Sequence, residues 1–144
     1  MKVCQFMALL EQMRIEEWEY NHDTAYGRVD CVGIYRYTMY WYYSASSVKA
    51  LKISTHVEGT YRNSVYNKTD PKKNVVGKGK IDANTEFRIG MGLFRNPFGD
   101  DGHFAVYVGN YFPGYENAVI ESVYGGVIIR ELSESEAIND PFTH

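Results

Sequence analysis

His103–Leu132 reads HFAVYVGNYFPGYENAVIESVYGGVIIREL, and its alternation decides the architecture. In HFAVYVGN (103–110), Phe104, Val106 and Val108 fall on one face of an extended chain, and His103, Ala105 and Tyr107 on the other. A loop with Pro113 and Gly114 interrupts the pattern, and Ala118–Tyr124 resumes it. The pair Gly125–Gly126 then leads into Val127–Leu132, and two glycines between β-rich runs signal a hairpin. Strands joined by such short connections predict an antiparallel sheet. Phe87–Arg95 is a further strand candidate upstream. Downstream, Ser133 and Glu136 have the form of a capping box opening a short last helix.

The amino-terminal half carries a different period. Val3, Phe6, Met7, Leu10 and Met13 recur at helical spacing, which predicts a helix over 3–14. Cys4 lies beside that stripe and is expected to be a buried thiol. Residues 20–30 are turn-rich. A second helix is expected from Cys31, because Cys31, Ile34, Tyr35, Thr38, Met39 and Tyr42 share one face. Asp30 stands where a short acidic side chain caps free amide groups. Gly33, with no side chain, permits a close approach in the first turn. The helix is expected to fade by 44–47. Residues 52–86, with Lys68, Lys72, Lys73, Lys78 and Lys80, read as a surface excursion, either a lid or a plain solvated loop. Helices first and an antiparallel sheet second make an α+β layout, one domain over 1–144.

Composition limits the function classes. The chain has 144 residues, 44% hydrophobic and 23% charged, enough for one real core. Its formal charge of −3 argues against a dedicated nucleic-acid partner. No apolar run reaches the length of about 18 residues that a membrane span needs. The start of the chain lacks the pattern of a secretory signal, so the expectation is synthesis in the cytoplasm and action elsewhere only after release or delivery. Cys4 and Cys31 are the two cysteines, and a lone disulfide is poorly motivated in such a setting. Two cysteines and the scattered His22, His56, His103 and His144 do not build a structural zinc site. No metal or organic cofactor is implied. For each cysteine, core packing or catalysis remains.

A catalytic cysteine must become a thiolate and be reachable. The amino end of a helix favours negative charge, and Cys31 is expected there. An imidazole can take the thiol proton and return it to a leaving amine. His103 opens the best strand of the chain, and a strand holds a ring more rigidly than a loop. His22, His56 and His144 read as solvent-exposed, and the aromatic run Tyr35–Tyr43 mainly as core.

The segment 17–37, EWEYNHDTAYGRVDCVGIYRY, resembles the nucleophile region of NlpC-type cysteine peptidases, cell-wall hydrolases of the papain-like fold. Their pattern is a Tyr, a Gly-containing loop, then Asp-Cys-Ser-Gly opening the central helix; here Tyr20 and Asp30-Cys31-Val32-Gly33 stand in those places. GHFAVYVGN (102–110) is similar to the family's histidine strand. VIESVYGGV (119–127) is similar to the strand supplying the third catalytic group, and IGMGLFR (89–95) to the strand before the histidine. The four blocks occur in the family's order. The resemblance implies a papain-like fold, with Cys31 as nucleophile and His103 as general base. It implies Glu121 as the group that orients the imidazole; the bland alternative is an exposed strand residue. Tyr20 would hold the substrate or the oxyanion, the Cys31 amide would be an oxyanion donor, and Asp30 and Val32 would border the substrate, Asp30 chiefly as helix cap.

Three departures bear on specificity. Val32 replaces a serine that, in relatives specific for short stem peptides, helps bind a free amino terminus. The distance from Cys31 to His103 is 103 − 31 = 72 residues, longer than is common in the family. Relatives often continue beyond the position of Pro141–His144 with one more strand, so a sheet edge is expected to be open or covered by a partner. The activity implied is cleavage of an amide bond in peptidoglycan stem peptides, as in a phage or prophage lysin. The alternatives are a muramoyl-L-alanine amidase or acyltransferase on the same scaffold, and a degenerate wall-peptide- or partner-binding domain.

Overall fold

The computed structural model describes residues 3–42, 57–58, 60, 80–99, 101–138 and 140–144. The expected helix end at 44–47, His56 and most of the 52–86 excursion, including Lys68, Lys72, Lys73 and Lys78, lie outside the described residues. The elements in chain order are α1 (Val3–Ile15), β1 (Glu19–Tyr20), β2 (Arg28–Val29), α2 (Gly33–Tyr42), β3 (Gly92–Arg95), β4 (His103–Gly109), β5 (Ala118–Val123), β6 (Gly126–Glu131) and α3 (Leu132–Ile138). β3 to β6 form one antiparallel sheet in sequence order, and β1 and β2 pair parallel beside it. The protein is therefore α+β, as the order of periodicities requires.

Strand alternation divides the core between the two sheet faces. Phe104, Val106 and Val108 of β4 and Ile120 of β5 pack against Phe6, Met7, Leu10 and Met13 of α1 and Ile34 of α2. Ala105 and Val119 point the other way, to Leu93, Leu132 and Phe142. Covering the sheet on both faces removes apolar area from water at roughly 25 cal/mol per Å2. The sheet leaves little room on its first face: a side chain at Gly92 would meet the Phe104 ring at 2.6 Å.

Several expectations shift. Cys4 is exposed, not buried, because the buried stripe of α1 starts only at Phe6 and the first turn stays in solvent. Phe87–Arg95 shortens to Gly92–Arg95: Gly90 takes a φ of +94°, and Met91 N–H closes a turn on Arg88 O at 3.0 Å. The hairpin turn is Tyr124–Gly125 rather than Gly125–Gly126, with Gly126 paired to Val123. Gly126 has a φ of +106°, and a side chain there would meet Trp18 O at 2.9 Å, so the position excludes other residues. α3 opens at Leu132, one residue before the Ser133 cap. The β3 edge is neither open nor left to a partner. Thr143 N–H donates to Phe94 O at 2.8 Å and Phe94 N–H to His144 O at 2.7 Å, so the segment Phe142–His144 covers it.

Candidate active site

Asp30 makes the first turn of α2. Its backbone carbonyl accepts from Ile34 N–H at 3.3 Å, and its Oδ1 accepts from Gly33 N–H at 2.6 Å. This is capping geometry, and it puts Cys31 in the turn that leads into α2 at Gly33. Gly33 is required there, since a Cβ would lie 2.7 Å from Thr24 Oγ1 and 2.9 Å from Asp30 Oδ1. The predicted close approach is thus filled by the chain itself.

The Cys31 side chain is buried at 7% exposure, against the start of β4. Backbone amides of Phe104, Val32 and Cys31 favour its thiolate. They are outweighed by burial, and then by the charge of Asp30, which together push the thiol up to about 11. With that value about one thiol in 10^4 is ionised at pH 7. The helix start alone therefore does not activate Cys31.

His103 and Glu121 do meet. Glu121 lies on β5, opposite Ala105 and diagonal to His103 on the same sheet face. Glu121 Oε2 is 2.8 Å from His103 Nε2, and the carboxylate is wholly buried, which rules out the exposed-strand alternative. Burial would raise the Glu121 pKa, but the hydrogen bond and charge of His103, then those of Arg130, more than reverse this and hold it below 4.5. An ionised carboxylate only accepts, so Nε2 carries the proton and Nδ1 is the basic nitrogen. Among the described residues Nδ1 of His103 has no hydrogen bond.

Cys31 and His103 approach the same point of β4 from different sides. Cys31 packs with Phe104, whereas His103 shares the face of Ala105 and lies 6.3 Å, ring to ring, from Phe142. No hydrogen bond joins the thiol to the imidazole. The thiol instead faces the backbone N–H of Phe104, the residue after His103.

Tyr20 is half-buried beside the thiol. Burial first, then the charges of Cys31 and Asp30, push its hydroxyl up to about 12, so it is a donor at neutral pH. Its ring contacts His22 at 5.5 Å and Tyr124 at 5.0 Å. Tyr124 caps the hairpin at 93% exposure, so these rings form a rim open to solvent. The Val32 side chain is in the core, and what this residue turns toward Cys31 is its backbone amide. His22 is exposed as expected, yet its Nδ1 stands 3.4 Å from Asp30 Oδ2. Ser122 turns to the face opposite Glu121 and donates to Val29 O at 2.7 Å, which ties β5 to the segment leading into Cys31.

Sequence reasoning missed the setting of Glu121. Arg130 Nε donates to Oε1, and Ser135 Oγ lies 3.1 Å from Oε1 and 3.3 Å from Oε2. Arg95 stands opposite His103 on β3. Each of the four strands thus places a charged side chain or an imidazole on the face under α3, and β4 adds Tyr107 farther along. The available signal was this alternation: Arg95, His103, Glu121 and Arg130 all share that face, in strands that are mostly apolar. Among the described residues no three His, Cys, Asp or Glu side chains converge as a metal would need, and no helix is long and apolar enough to cross a membrane. In comparisons with known proteins, no protein-family model and no curated protein matches the chain.

Proposed function

We propose that this protein is a papain-like cysteine hydrolase that cleaves an amide bond in bacterial peptidoglycan stem peptides, with Cys31, His103 and Glu121 as its catalytic set. The observation that carries the proposal is the buried Glu121 carboxylate holding His103 Nε2 at 2.8 Å, one residue from the peptide N–H that faces the Cys31 thiol. A carboxylate in that place fixes the tautomer and stabilises the imidazolium once formed. The substrate class comes from the likeness of the four sequence blocks to NlpC-type peptidases.

The thiol chemistry shapes the mechanism. A thiol at about 11 is not a ready thiolate, so proton removal must accompany attack. In this reading the His103 ring brings Nδ1 to Sγ when substrate is seated and takes the proton as the C–S bond forms. The imidazolium then gives that proton to the leaving amine, and water hydrolyses the acyl-enzyme. The amide of Cys31 and the Tyr20 hydroxyl are the donors available to the oxyanion.

Digestion of purified peptidoglycan by the wild type and by Cys31→Ala, read by mass spectrometry, tests the proposal. New stem-peptide fragments from the wild type alone are expected, and their masses distinguish an endopeptidase from a muramoyl-L-alanine amidase. Equal fragments from both proteins would remove Cys31 from the chemistry. A second reading, a non-catalytic domain that binds wall peptides or a partner, is favoured by the buried, unactivated thiol and predicts retention on insoluble peptidoglycan with no fragments from either protein.

A further inference from the structure

A carboxylate with no solvent exposure is costly unless donors surround it, and among the described residues Glu121 has three: His103, Arg130 and Ser135. Ser135 is itself wholly buried. Its hydroxyl lies within hydrogen-bond distance of both Glu121 oxygens. Arg95 Nη2 lies 3.3 Å from Ser135 Oγ and can only donate, so it fills an acceptor site of that oxygen and does not compete for the proton that Ser135 donates to Glu121. Arg95 is anchored in turn. Its Nε donates to Asp140 O, and its guanidinium lies 4.3 Å over the Phe142 ring. The chain of contacts therefore runs from the carboxy-terminal segment through Arg95 and Ser135 to Glu121, and ends on the imidazole.

We propose that Ser135 and Arg130 are positioning residues that clamp the Glu121 carboxylate, and that Arg95 orients the Ser135 hydroxyl, so that His103 is held as the Nε2–H tautomer with Nδ1 as proton acceptor. The purpose of this clamp rests on the hydrolase reading; its existence does not. A freely rotating carboxylate would offer its charge to either ring nitrogen. Arg130 and Ser135 both donate to Oε1, and the one Ser135 proton also lies near Oε2, so the plane of the carboxylate is fixed with Oε2 turned to Nε2.

The test is the imidazole itself. In the 15N-labelled protein at a pH where the ring is neutral, two-bond 1H–15N spectra read the tautomer of His103 directly, assigned by loss of its signals in His103→Gln. The wild type is expected to show a protonated Nε2 and a bare Nδ1. In Ser135→Ala, and in Arg130→Gln, both nitrogen shifts are expected to move toward the average of the two tautomers. Ser135→Ala removes a single buried oxygen, so it reports even where Arg130→Gln does not fold. Shifts unchanged from wild type in folded Ser135→Ala and Arg130→Gln would overturn the clamp. Because no turnover is read, a wild type without hydrolase activity but with the expected shifts would end the hydrolase reading and leave the clamp standing.

Discussion

Glu121 on β5 and His103 on β4 are diagonal neighbours across one ladder, and their side chains meet at 2.8 Å beneath α3. The pair turns a sheet contact into an electrostatic device. Its carboxylate is ionised although wholly buried, because three donors replace the water it has lost.

That arrangement makes stability depend on pH in a defined direction. The Glu121 pKa is lower in the fold than the ordinary 4.5, so its contribution is fully present above about 4.5 and is lost as pH falls through the folded value. Glu121→Gln leaves Arg130 without its counter-charge and is expected to cost about 3–5 kcal/mol at neutral pH. Urea midpoints of both proteins, taken from neutral pH to below 4.5, should converge at the acid end. A gap of constant size would contradict an ionised Glu121.

The thiol responds to Asp30 with the opposite sign. Burial raises the Cys31 pKa most, and the Asp30 carboxylate raises it further, to about 11. Asp30→Asn keeps a capping side chain but removes the charge. The pH midpoint of iodoacetamide labelling, read in a Cys4→Ser background, is expected to fall by roughly one unit. A midpoint that does not move would show that the carboxylate does not act on the thiol. A wild-type midpoint far below 11 would show instead that an imidazole is already activating it.

Gly33→Ala tests how the nucleophile is placed. The added carbon would lie 2.7 Å from Thr24 Oγ1 and 2.9 Å from the capping oxygen of Asp30. Crowding of this kind costs about 1–3 kcal/mol. Thermal unfolding should show that loss, and Cys31 labelling at fixed pH should quicken as the first turn loosens. A melting temperature equal to wild type would mean that the cap has room to give.

The layout was legible in the sequence where side-chain period follows backbone geometry. The apolar stripe of Phe6, Met7, Leu10 and Met13 marked α1, and the alternation of Phe104, Val106 and Val108 marked β4. Asp30 was legible as a cap because capping depends on residues three apart. β1 and β2, two residues each, carry no period long enough to read. Cys4 misled because its place beside the apolar stripe does not reveal that the first turn of α1 stays in solvent.

By itself the sequence determined the α+β order, the Asp30 cap that opens α2 just after Cys31 and the face on which His103 stands, since each depends on residues close in the chain. Only the tertiary structure decided that Glu121 reaches His103, that Arg130 and Ser135 enclose that carboxylate, and that the thiol is buried against Phe104 rather than bonded to the imidazole. Those relations join elements far apart in the chain through strand register and helix docking. Register depends on the whole sheet and on the segments that cover it, and no local run of residues encodes it.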